Sequence, residues 1–313
     1  MTAINDSSFP DAPSKMPDAK ETKMNRELKI LLKNHYVMSN MTRRPGRLRA
    51  AASFTIPFAL IGGAIAIAQA FPGTAFVAAA FIATRYRQIA NQAHWSSHYS
   101  GCADKRTNEL LYKGQCVMLG IDPQTARADH TSHHAHLGNL DMDRDFGGLR
   151  DFALHARMGP LGRLKRIARL RLLQAYMPRW GFDHPAQALG TVLDVTLLAS
   201  LGMAGIYVGA LAWLGGKFLI YPVARHLYDL IDHGGIYHET TATRNCVIDN
   251  WLLACLLLPE NDCFHANHHD FPYLAASAQK RAHAFRLTVD EGYAARTHGA
   301  LDHLRVALKG FLK

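Results

Sequence analysis

The sequence lacks the marks of several common classes of protein. Its five cysteines, Cys102, Cys116, Cys246, Cys255 and Cys263, form no C-x-x-C pair and follow no regular spacing. That argues against a disulfide framework and against thiolate metal sites, and points to reduced thiols in a reducing compartment. No H-E-x-x-H occurs, so the usual helix of a hydrolytic zinc enzyme is missing. No apolar leader heads the chain: residues 1–23 are polar and rich in Pro, Ser and Asp, and are predicted to be disordered. Charge is also missing where it matters. Residues 51–84 contain no Asp, Glu, Lys or Arg, and residues 188–224 carry only Asp194 and Lys217.

Those two blocks explain why a chain that is 49% hydrophobic has a mean hydropathy of only −0.08. Apolar blocks alternate with very polar ones. A spanning helix needs roughly 20 apolar residues. The first block divides at Pro72-Gly73 into candidate spans at about 51–70 and 72–92, the second running past Arg85 and Arg87, whose long side chains can snorkel to an interface. The second block gives two more, about 188–208 and 211–229, with Gly215-Gly216 as a turn signal. Every Lys and Arg except Lys217 lies in residues 1–50, 85–187 or 225–313. Two hairpins would put those three regions on one side of the membrane, and the positive-inside rule makes that side cytoplasmic. The run 246–258 is too short to span and is expected to be a buried or interfacial helix. The acid-free stretch 157–179, with seven cations, suits a helix on the membrane surface.

Against these scarcities stands histidine, at 18 residues. HWSSH places His94 and His98 four apart. HTSHH places His130, His133 and His134 at i, i+3 and i+4, and HANHH repeats that pattern at His265, His268 and His269. Residues at these spacings share a helix face, so each cluster aims its imidazoles at one point. An H-x-x-H-H pattern is expected only about 0.06 times by chance at this length and histidine content. His233 follows the second apolar block as His94 and His98 follow the first. If both hairpins open to one face, nine imidazoles converge there. That exceeds what one tetrahedral zinc can use and suits two metals; a donor set of neutral nitrogens points away from iron–sulfur chemistry.

The order HxxxH, HxxHH, an isolated histidine and HxxHH, laid around two membrane hairpins, resembles the membrane fatty-acid desaturase family over residues 50–275. The second box continues as LGNLDMDRDF, and the third as HANHHDFP, both similar to stretches of that family. The resemblance implies an all-α integral-membrane fold: four transmembrane helices in two hairpins under a cytoplasmic helical cap that carries the histidine boxes. It divides the chain into a cytoplasmic segment 1–48, a membrane domain 49–275 and a cytoplasmic segment 276–313. It implies two iron ions held by His94, His98, His130, His133, His134, His233, His265, His268 and His269. His136, Asp141, Asp229 and Asn245 are expected just outside them. Asp229 stands where related enzymes carry an Asn four residues before the isolated histidine. Asp141, Asp143 and Asp145 lack the Gly and closing Glu of a calcium loop and are expected to bond ligand imidazoles or cap a helix.

The activity implied is oxygen-dependent desaturation of a fatty-acyl or similar alkyl chain. Alternatives are a hydroxylase or carotenoid ketolase of the same superfamily and, from another class, a His-rich membrane metal transporter. Electrons must come from an external ferredoxin-like or cytochrome-type donor, since no haem-binding or flavin-binding segment is fused to the chain. The formal charge of +10 suits an acidic carrier and an acyl-CoA, acyl-carrier-protein or lipid substrate rather than nucleic acid. The expected location is a bacterial inner membrane, with both termini and the active site cytoplasmic.

Overall fold

The uncharged block 51–84 forms most of a helical hairpin in the computed structural model, which describes residues 19–137, 139, 142–143, 180–233, 245–248, 250–295 and 297–299. Helix α1 (Ala19–Met38) precedes it, beginning inside the stretch expected to be disordered. Helix α2 (Arg47–Ala70) and helix α3 (Ala75–Ser97) are joined by a single 3-10 turn, Pro72–Thr74, at the predicted break. Pro72 lies at the start of that turn, where a missing N–H costs nothing. Helices α4 (Lys105–Leu119) and α5 (Pro123–Ala135) follow. Asp104 and Asp122 cap them, accepting from the Thr107 and Thr125 amides at 2.8 Å each. Gly120, at φ 66°, makes the left-handed stop between them.

The second block forms helix α6 (Pro185–Met203) and then a continuous rod. Helix α7 (Tyr207–Leu214) passes through a π-helical turn, Gly215–Ile220, into helix α8 (Tyr221–His233). The turn between α6 and α7 falls at Ala204–Ile206, where Gly205 takes φ 72°. The Gly215-Gly216 pair therefore does not make the bend that its composition suggested. It lies inside the rod because the helices touch there: a Cβ on Gly216 would meet the Ala79 carbonyl at 2.6 Å. Small residues permit such close approach between apolar helices. Around this contact Ile61, Ile65, Ile82, Tyr86, Trp213 and Tyr221 are buried together.

Among the described residues three helices are long and apolar enough to cross a membrane: Arg47–Ala70, Pro185–Met203 and Tyr207–Arg225. Ile56, Ile67, Leu193 and Leu211 are exposed along them. Helix α3 is different. Its first half is apolar, but Arg85, Arg87, Asn91 and Gln92 are buried along its second half. Snorkelling was expected of the two arginines; instead they turn inward. Arg85 donates to Gln88 Oε1 at 2.7 Å and to the Cys255 carbonyl at 3.0 Å, and Arg87 pairs with buried Asp262. The polar end of α3 is thereby bound to the 255–262 segment.

The remaining described elements form a cap around that end. They are strand β1 (Asn245–Val247), helix α9 (Trp251–Leu257), a 3-10 segment (Pro259–Phe264), helix α10 (His265–Asp270), helix α11 (Ala276–Arg286), helix α12 (Glu291–Ala295) and strand β2 (Thr297–Gly299). β1 and β2 pair in parallel, a small departure from the all-α expectation. The run 246–258 thus splits between strand and helix, and α9 leaves Trp251, Leu252 and Leu253 exposed, as an interfacial helix would. α1 packs Leu32 and Tyr36 against Phe271 and Leu274 after α10. The basic stretch 157–179 and the ends of the chain lie outside the described residues.

Candidate metal centre

Each histidine box sits where local structure fixes its direction. His94 is in the last turn of α3 and His98 caps its C-terminus. His130, His133 and His134 occupy the end of α5, and His233 ends α8. The third box is the six-residue helix α10 itself. So short a helix cannot hold itself together, and its neighbours hold it instead. Asn245 Oδ1 accepts the Ala266 amide at 3.0 Å, and Asn267 donates to Gln279 Oε1 at 2.7 Å. Arg286 binds Asp270 at 2.6 Å. Just before it, Glu260 and Asn261 both adopt left-handed conformations, at φ 64° and 58°.

All nine histidines named from the sequence meet, and they meet as two groups. His94, His98, His130, His134 and His268 form one; His133, His233, His265 and His269 form the other. In each group the ring nitrogens lie within 4.8 Å of one another. In the first, His94 Nε2 is 2.6 Å from His268 Nε2, and His98 Nε2 is 2.8 Å from His130 Nε2. In the second, His265 Nε2 is 2.8 Å from His233 Nε2, 3.0 Å from His269 Nε2, and His133 Nε2 is 3.2 Å from His269 Nε2. The second and third boxes each serve both groups: in each, the i and i+4 rings stay together and the i+3 ring turns to the adjacent centre.

The residues expected just outside the ligands are described only in part. His136 caps α5, its Nδ1 3.1 Å from the Ser132 carbonyl, and joins neither group. Asp141 lies outside the described residues, as does the side chain of Asp229. The carboxylate that meets a box is buried Asp143, 2.7 Å from His133 Nδ1. Asp232, beside His233 in sequence, lies 4.0 Å from His265 Nδ1. Sequence reading had grouped Asp143 with its neighbours and passed over Asp232; alternation of Asp with other residues gives no sign of which one faces inward. Asn245 accepts the Ala266 amide and donates to Thr297 Oγ1 at 3.0 Å.

Nitrogen atoms facing each other this closely cannot all be protonated. Burial first, and then His130, push His98 down to about 3. His134, His265, His268 and His269 are held below the ordinary histidine range by burial and then by neighbouring imidazoles. Neutral rings present lone pairs inward. The Nδ1 atoms of His265 and His268 are buried without a hydrogen-bond partner. Two convergent sets of imidazole nitrogens, with no described carboxylate inside either, fit two transition-metal ions and suit calcium or magnesium poorly. Asp143 orients His133 as carboxylates orient metal-bound imidazoles elsewhere.

A cavity of about 440 Å³ borders both groups, reaching His94, His130, His133, His233 and His265. Its walls come from α3, α4, α5, α6 and α8, and include Ala90, Leu119, Ile121 and Gln187. A ligand there could lie against both metal positions at once. The family model described as fatty acid desaturase matches residues 32–300 of the chain. No curated protein matches it.

Proposed function

The chain belongs to the fatty acid desaturase family, and on that premise we propose that it is an oxygen-dependent diiron enzyme that introduces a double bond into a fatty-acyl or similar alkyl chain. The observation that carries this reading is the division of nine imidazoles into a set of five and a set of four. His94, His98, His130, His134 and His268 would hold one iron, and His133, His233, His265 and His269 the other. When bound, the iron pair supplies the oxygen-activating chemistry that removes hydrogen from an unactivated C–H bond.

The chain's own residues supply the rest. Asp143 fixes the tautomer and direction of His133. The Arg87–Asp262 pair ties the box-bearing end of α3 to the segment that leads into the third box, setting the spacing between the two groups. The cavity that borders both groups would lay an alkyl chain beside them. Four spans in two hairpins, α3 providing the fourth, would place both termini, residues 1–48 and 276–313, and the centre on the cytoplasmic side of a bacterial inner membrane. An external ferredoxin-like or cytochrome-type carrier would deliver electrons, and an acyl-CoA, acyl-carrier protein or membrane lipid would deliver the chain.

Nothing in the family or the geometry supports metal transport: Asp194 and Lys217, inside the apolar helices, are bonded to each other. Mass-spectrometric lipid profiles of cells with and without the gene test the function. A product about two mass units lighter than its substrate is expected; one about sixteen units heavier would move the assignment to a hydroxylase, and one about fourteen units heavier to a ketolase.

A further inference from the structure

The histidine groups are approached from two sides of α3. The 440 Å³ cavity reaches them along the face that carries Ala90, Ala93 and His94. On another face a second cavity, of about 120 Å³, is lined by Arg49, Gln92, Trp95, Gln115, Glu260 and Ser277, among others. Trp95 is the wall between this pocket and the centre. Its ring lies parallel to His94, centroids 5.5 Å apart, and meets His268 edge-on at 4.6 Å. Both histidines belong to the five-membered group. Trp95 Nε1, Gln92 Oε1 and Gln115 Oε1 have no hydrogen-bond partner, though these residues are only 3%, 6% and 3% exposed. A donor and two acceptors therefore line the pocket with their bonding capacity unspent.

The surface around this pocket is basic. Arg43, just before α2, and Arg47 and Arg49 at its start are exposed, as are Lys105 and Arg106 at the start of α4. The Ala103 amide donates to the Pro45 carbonyl at 2.8 Å, which joins the two segments. Lys280 and Arg281 are exposed on α11, a turn beyond Ser277. Glu260, in the pocket wall, accepts from Gln88 Nε2 at 2.9 Å and from Gln92 Nε2 at 3.0 Å, and Asp104 is bonded to Arg47 at 2.8 Å.

We propose that this face receives an acidic one-electron carrier and that Trp95 is the bridge along which its electron reaches the five-histidine group. The proposal rests on the redox reading of the site given above. An indole packed on two ligand rings couples a surface donor to the metal through a continuous π contact, which saturated side chains do not provide. Opposite charge speeds the encounter and makes it depend on salt. Because the alkyl chain would use the other cavity, carrier and substrate can be bound together. The carrier loses one electron at each encounter, the iron pair gains it, and the indole ends unchanged. Two encounters and two protons, with the two hydrogens taken from the alkyl chain, reduce one oxygen molecule to two waters. Trp95 is a positioning residue in this scheme: it touches ligands, not substrate.

The test uses the full-length iron-loaded chain in zwitterionic nanodiscs and a reduced acidic [2Fe–2S] ferredoxin as the probe. Trp95→Leu is expected to leave iron content and ferredoxin affinity unchanged and to slow ferredoxin oxidation, followed by its absorbance, about tenfold or more; Trp95→Phe should recover part of that rate. Charge reversal by Arg43→Glu with Arg49→Glu should weaken ferredoxin binding about tenfold and flatten its salt dependence. Ferredoxin oxidation at the parent rate by Trp95→Leu would overturn the bridge. Parent-like ferredoxin affinity in the reversed variant, with weaker binding to anionic vesicles instead, would overturn the docking face and assign it to lipid headgroups. A parent protein that binds no iron would sink the functional reading itself, which separates the two failures.

Discussion

Two of the buried groups of ionisable side chains in this molecule are built on opposite plans. Between α6 and the π-helical turn, Lys217 Nζ lies 2.6 Å from Asp194 Oδ1, and Trp180 Nε1 donates to Asp194 Oδ2 at 3.0 Å. The rings of Tyr86, Trp213 and Phe218 stand 5.2, 5.4 and 5.2 Å from the ammonium. Charge is matched inside that group, and nothing further is needed to satisfy it. The histidine groups are unmatched. Their nitrogens face one another, and Asp143 and Asp232 meet them from behind rather than between. A closed pair holds helices together; an open convergent set awaits a ligand. The difference separates scaffold from function without reference to any relative.

The comparison can be broken at either end. The largest effect is expected from His134→Ala or His269→Ala, one from each group. Each leaves a coordination position open, so product formation should fall to background while the apolar helices still insert, because insertion depends on apolar length. Full turnover at normal expression would show that the replaced ring is no ligand. Next comes the ion pair. Lys217→Ala leaves a buried carboxylate alone and should cost about 3–5 kcal/mol, whereas Lys217→Met with Asp194→Leu should restore much of that stability. Thermal unfolding in detergent, compared across the single and double variants, measures it. If the double variant proves as unstable as the single, the pair does more than close on itself.

Asp143→Asn should act through the metal and not through the fold. Losing a carboxylate behind a metal-bound imidazole typically costs about 10–100-fold in metal affinity or activity. Iron titration should register that loss with the melting temperature little changed; unaltered iron affinity would remove Asp143 from the centre. The smallest effect is expected at His136. It sits next to the second box but bonds only the end of its own helix. His136→Ala should alter turnover by less than about twofold, within the range of substitutions away from buried networks.

Much of this was legible in the sequence because it depends on local spacing. The i, i+3, i+4 pattern fixed which rings share a face, and Pro72-Gly73 marked a true break. What escaped depends on partners far along the chain. Gly215-Gly216 reads as a bend until Ala79 is found against it. Arg87 reads as an interfacial cation until Asp262, 175 residues away, reaches it. Trp95 sits inside HWSSH, and only the arrival of His268 makes it a neighbour of the centre. Asp143 was one of three similar carboxylates, and only its contact with His133, ten residues back, brings it to the centre.

Metal content per chain tests the central claim most directly. Protein purified anaerobically in active form should carry about two irons, matching the two nitrogen sets, and His134→Ala and His269→Ala should each lower that count. One tightly held zinc in active protein, or an iron content unchanged in both variants, would contradict the account.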